Sequence, residues 1–110
     1  MLARQGGAMT SVEDLQDVPD ALRRDMAHGV DILKKGGCRE VYIFGSVAEG
    51  RANADSDIDF AVRGCPVDRF FKLQGRLLVE LTRSADLVDL DADPDLAAFL
   101  EREAVLVHVG

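Results

Sequence analysis

The chain has 110 residues, 47% of them hydrophobic, which is the size of one ordinary domain with one core and too little for two. Twenty acidic against 13 basic residues give a net charge of −7, and no basic stripe or RNA-binding aromatic motif is visible, so direct nucleic-acid binding through counterion release is not expected. No stretch approaches the roughly 20 apolar residues that cross a bilayer, and MLARQGGAMT lacks the apolar run of a secretory signal; the expectation is a soluble cytoplasmic domain without membrane contact.

Residues 1–10, with Gly6-Gly7 and little periodicity, read as a flexible lead-in, which leaves residues 11–110 as a single domain. Ser11 before Val12-Glu13-Asp14 marks a helix start, and Pro19-Asp20 the first turn of its continuation or of another helix. Leu22, Met26, Val30 and Leu33 then form one apolar helical face that ends at Gly36-Gly37. Glu40 to Phe44 (EVYIF) is β-branched and aromatic and predicts a strand ending at Gly45. Asp57 to Arg63 (DIDFAVR) alternates, with Ile58, Phe60 and Val62 on one face and Asp57, Asp59 and Ala61 on the other.

Pro66 opens a second long helix, in which Phe70, Leu73 or Gln74, Leu77 and Leu81 keep helical spacing up to Arg83-Ser84. Asp86 to Leu90 is a third strand. Asp93-Pro94 supplies the cap and first turn of a last helix with Leu96, Phe99 and Leu100 apolar, followed by β character over Val105 to Val109. The crossover helix between the second and third strands makes those two parallel, and the tight link between the first and second makes them antiparallel. The fold class expected is α+β, a mixed β-sheet with helices on one face.

Cys38 and Cys65 lie far apart in sequence and fit neither a disulfide framework nor a paired metal motif, so both read as packed, reduced thiols. His28 and His108 are isolated and give a histidine metal site or triad nothing to build on.

The chemistry concentrates elsewhere. Gly45-Ser46, between a strand and a short helical turn (Ser46 to Glu49), suits an anion: glycine permits close backbone approach, the hydroxyl donates, and the turn's amides point outward. Alone, such a pair is also an ordinary tight turn. Asp57 and Asp59 stand at i and i+2 of a strand, so their carboxylates leave the same face roughly 6–7 Å apart at their roots. Such oxygen ligands suit Mg²⁺, while a solvated edge-strand face would show the same pattern.

Asp86 could bring a third carboxylate, forming the kind of cluster that holds two metal ions for in-line displacement at phosphorus. Asp89 and Asp91 compete for that place, and the alternation, which sets Asp86 with Val88 and Leu90 against Asp89 and Asp91, does not settle which face meets the metal. Arg51 and Arg63 are each candidates for triphosphate contact, with surface charge preferred for Arg63.

Taken together, Gly45-Ser46, ten intervening residues and Asp57-Ile58-Asp59 within GSVAEGRANADSDIDFAV, flanked by Ala48, Gly50 and Asp55-Ser56, form a far more specific pattern than either half. This stretch resembles the nucleotidyltransferases of the DNA polymerase beta superfamily, in particular the minimal nucleotidyltransferases (MNT), small proteins typically found as antitoxins paired with HEPN-domain toxins. The resemblance runs from the helix before Glu40 to the closing LEREAVLVH. It implies the polymerase beta-like fold, Gly45 and Ser46 on the outer phosphates of ATP, Asp57 and Asp59 on Mg²⁺ with two ions expected, and Asp86 as the third acid. One departure is Glu49, where many relatives carry Arg; Arg51 then compensates or activity is reduced.

The activity so implied is transfer of AMP from ATP to a tyrosine hydroxyl of a partner HEPN toxin, with Asp57, Asp59 and Asp86 catalytic, Gly45, Ser46 and Arg51 nucleotide-binding, and a homo- or hetero-oligomer as the working form. A non-catalytic antitoxin that neutralises its HEPN partner by complex formation is the alternative, toward which Glu49 leans, whereas a pure binding module has no need of clustered like charges. Nucleotide transfer to a small molecule such as an antibiotic needs an added substrate-binding region or an oligomer interface.

Overall fold

Helix α1 (Asp20–Lys35) begins behind Pro19, carries Asp20 in its first turn and Lys34 and Lys35 in its last, and so matches the helix dipole at both ends. The computed structural model describes residues 9–110; the first eight residues of the expected lead-in lie outside the described residues. Ser11 caps a separate single 3-10 turn, Val12–Asp14, by accepting from the Glu13 N–H at 3.2 Å. The helix closes at Gly36, with the Cys38 N–H reaching back to the Leu33 carbonyl at 3.1 Å and Gly37 at a φ of 105°, the left-handed turn that a side chain resists.

The buried stripe of α1 is Leu22, Asp25, Met26, Gly29, Ile32 and Leu33. Val30, expected on it, is only half-buried. Gly29 takes the centre because the ring of Phe60 lies against the helix there: a Cβ on Gly29 would stand 2.5 Å from Phe60 Cζ.

Strands β1 (Glu40–Phe44), β2 (Ile58–Arg63), β3 (Ala85–Asp89) and β4 (Val107–His108) form one mixed sheet in the order β3-β2-β1-β4. As expected, β1 and β2 are antiparallel and β2 and β3 parallel. The last strand is shorter than the sequence suggests, pairing only Tyr42 with His108 and Ile43 with Val107.

Helix α2 (Phe70–Glu80), entered through a 3-10 turn at Val67–Arg69, makes the crossover, and Leu73 and Leu77 are its buried residues. Together with α1 it covers the sheet face bearing Val41, Ile43, Ile58, Phe60 and Val62, as read from the sequence. Helix α3 (Pro94–Glu103), capped by Asp93 through the Leu96 N–H at 3.0 Å, adds a smaller packing on the other face, where Ala97 and Leu100 meet Ala61 and Leu90. Phe99 lies off that stripe and is 50% exposed.

Cys38, two residues before β1, and Cys65, two residues after β2, lie beyond the same end of the antiparallel pairing, next to the Glu40–Arg63 pair, which brings them side by side; both are buried free thiols. Among the described residues no helix is long and apolar enough to cross a membrane.

Candidate active site

Phe44, the last residue of β1, pairs with Asp59 on β2. The chain leaves the strand at Gly45 with a φ of 75°, and a Cβ placed on Gly45 would collide with Asp59 Oδ2. Only glycine supplies both the left-handed backbone and the space that this carboxylate occupies. The Gly-Ser turn and the Asp-x-Asp strand, ten residues apart in sequence, are therefore in contact through Gly45 and Asp59.

From Gly45 the chain makes one helical turn, with Glu49 N–H donating to the Gly45 carbonyl at 3.1 Å and Arg51 N–H to the Ser46 carbonyl at 2.9 Å. Val47, 2% exposed, pins this turn into the core. Among the described residues the N–H groups of Ser46, Val47 and Ala48 donate to no backbone acceptor, leaving three donors at the mouth of the turn beside the Asp59 carboxylate.

Across the sheet, parallel pairing sets Asp86 directly opposite Asp59. In-register residues of neighbouring strands share a face, and this one carries the alternation of Asp59 and Ala61. Asp86 is thus the acid that joins Asp59, while Asp89 pairs with Val62 farther along and Asp91 is occupied by the Gly64 N–H at 2.7 Å and by Arg63. Asp57 stands one residue ahead of β2, exposed at the rim, close enough to act on Asp59 through its charge.

Burial, then the Asp86 carboxylate, then Asp57 push Asp59 up to about 6, and no cation among the described residues opposes them. Among the described residues no three His, Cys, Asp or Glu side chains converge on a single point, so the chain offers a carboxylate pair, Asp59 with Asp86, and Asp57 beside it. That donor set fits Mg²⁺, a hard ion commonly held by one or two carboxylates together with substrate phosphates.

Two arginines are placed differently. Arg51 pairs with Glu49, Nη2 to Oε1 at 2.5 Å and Nε to Oε1 at 3.1 Å, so its guanidinium neutralises the acid that the sequence singled out. Arg63 pairs with Asp91 at 3.5 Å and with Glu101, a surface network as expected.

One group was not anticipated. Asp25, 5% exposed, accepts from the Thr82 N–H at 3.2 Å, from Thr82 Oγ1 at 2.5 Å and from Arg83 Nε at 2.9 Å. Burial pushes its carboxyl up, but these bonds outweigh it and hold Asp25 below its ordinary value. The sign of it in the sequence is an acid set between Leu22 and Met26 on an apolar face.

With this geometry in view, the family model described as polymerase beta, nucleotidyltransferase, matches residues 30–108. Among curated proteins no sequence matches. Among solved structures, one of a minimal nucleotidyltransferase is 29% identical, covering 90% of this chain and 98% of that one with a TM-score of 0.56. A toxin–antitoxin crystal structure with AMP-PNP is 21% identical over 84% of this chain and 75% of that one, TM-score 0.58. A mutant of the MntA-HpeT toxin–antitoxin is 23% identical over 77% of this chain and 72% of that one, TM-score 0.57. These last two share the fold.

Proposed function

The chain belongs to the polymerase beta nucleotidyltransferase family, and from that membership we propose that it transfers AMP from ATP to a tyrosine hydroxyl of a partner HEPN toxin, silencing it. The observation that carries this reading is the meeting of Gly45, Asp59 and Asp86: a turn with free amides placed against a carboxylate pair that no cation among the described residues neutralises. A pair of like charges held together raises the energy of the resting protein, and a bound cation relieves that repulsion.

In this reading the amides of Ser46, Val47 and Ala48 and the Ser46 hydroxyl bind and orient the outer phosphates. Asp59 and Asp86, with Asp57 beside them at the rim, would hold Mg²⁺, which when bound neutralises charge on the triphosphate. The acceptor oxygen forms its bond to the α-phosphorus as the bond to the pyrophosphate oxygen breaks, and Asp86, the exposed member of the pair, takes the acceptor's proton. Pyrophosphate leaves with the bonding electrons.

A toxin partner agrees with the toxin–antitoxin assemblies in which two of the fold's relatives occur. The second reading is neutralisation by complex formation without chemistry. In its favour, Glu49 occupies Arg51, and Phe71, Leu78 and Val79 on α2 are 78%, 75% and 81% exposed, an apolar face that a partner protein can cover.

Incubation with labelled ATP, Mg²⁺ and the partner separates the two. The enzyme reading expects label on a partner tyrosine and none with Asp57→Asn/Asp59→Asn. Absence of label, with inhibition intact in that double variant, gives the binding reading.

A further inference from the structure

We infer that Asp25 and Arg83 are positioning residues that hold the Asp57 loop against the β2–β3 pair. The loop from Asn53 to Ser56 is tied to itself, with Asn53 N–H donating to Ser56 Oγ at 2.9 Å, Asp55 N–H to Asn53 Oδ1 at 2.8 Å, and Ser56 N–H to the Asn53 carbonyl at 3.0 Å. A unit knitted in this way moves as one piece, so its attachment to the rest of the fold sets where Asp57 stands.

Two attachments flank Asp57. Upstream, Arg83 Nη1 donates to the Ala54 carbonyl; downstream, the Ile58 N–H donates to the Ser84 carbonyl at 3.1 Å. Both come from consecutive residues in the link between α2 and β3. That link is fixed in turn from α1, because Asp25 receives the Thr82 N–H, the Thr82 hydroxyl and Arg83 Nε. With one face of Arg83 on Asp25 and Nη1 on Ala54, the planar guanidinium transmits the position of α1 to the loop, which the single point charge of Lys would do less well.

The chain of contacts joins three segments distant in sequence and ends on an acid at the site. None of its members meets the nucleotide in the reading above. Asp25 is also the one buried charged residue among the described residues, and a buried carboxylate is retained more readily when it fixes a geometry than for stability alone.

The inference rests on the reading of Asp57 and Asp59 as metal ligands, and its test keeps the two apart. Mn²⁺ affinity in the presence of ATP, read by electron spin resonance, and amide hydrogen exchange over residues 51–59 without ligand are measured for the unaltered chain, Arg83→Met, Arg83→Lys, Asp25→Asn and Leu73→Val, a core control distant from the loop. Arg83→Met is expected to speed exchange in the loop at least about tenfold and weaken Mn²⁺ binding by about 10–100-fold, as loss of outer support does elsewhere. Arg83→Lys should recover part of both, Asp25→Asn should act in the same direction, and the control should change neither at a matched loss of Tm. Exchange and Mn²⁺ affinity within about twofold of the unaltered chain in a folded Arg83 or Asp25 variant overturns the inference alone. Failure of the unaltered chain to bind Mn²⁺ overturns the metal reading and the inference with it.

Discussion

The carboxylate of Asp59 fills the space where a side chain on Gly45 would begin. Gly45 also has a φ of 75°, so Gly45→Ala meets two penalties, backbone strain and collision with Asp59. We expect a loss of about 1–3 kcal/mol in urea unfolding, together with weaker Mn²⁺–ATP binding. A variant with unaltered stability and affinity would show that the turn and the carboxylate are independent.

The pH dependence of stability isolates Asp59. Its folded value of about 6 lies above the ordinary 3.8, so in the window between them the native state binds more protons than the unfolded chain and stability falls as pH rises. Asp59→Asn removes that charge. In metal-free buffer near pH 7.5 it should stabilise the fold by about 2 kcal/mol, with the gain fading as pH falls from about 6 toward 3.8. A gain that is constant across that range would contradict a raised folded value for Asp59.

Asp25 has the opposite sign. Its folded value is lowered, so its contribution is present above the ordinary carboxylate range and is lost as pH falls through the folded value. Asp25→Ala leaves Arg83 and Thr82 without their acceptor and should cost about 3–5 kcal/mol at neutral pH. Acid titration of the unfolding free energy should show a smaller drop below about pH 4 in this variant than in the unaltered chain.

Gly29→Ala would ordinarily favour a helix by about 1 kcal/mol. Here the new methyl meets the ring of Phe60, which is 0% exposed and has nowhere to move. Overpacking should reverse the sign and give a net loss of about 1–3 kcal/mol. Phe60→Leu should recover part of that loss in the double variant, a coupling that chemical denaturation of all four proteins measures.

Burial, together with the neighbouring Cys65, pushes the Cys38 thiol up to about 12, and the thiolate is the reactive form. Thiol reagents near pH 8 should therefore modify the folded chain slowly and both cysteines rapidly once it is unfolded. Immediate labelling of the folded protein would place these thiols at the surface.

What the sequence determined by itself is periodic or local. The apolar stripes, Asp93 as a cap, and the contrast between a tight β1–β2 link and a helical crossover to β3 gave the element order and strand directions, because each depends on residues close together in the chain. The Gly45-Ser46 and Asp57-x-Asp59 pattern was likewise legible at its fixed separation.

Tertiary structure decided the rest. Whether Asp86, Asp89 or Asp91 joins Asp59 depends on the β2–β3 register, which is set by packing Phe60 and Leu87 into one core and which no spacing within a strand encodes. The pairing of Arg51 with Glu49, the meeting of Cys38 with Cys65 and the reach of Asp25 across to Thr82 and Arg83 are contacts among side chains with several rotamers or long separations. Their partners are selected only when the burial of the whole sheet and its helices fixes where each backbone stands.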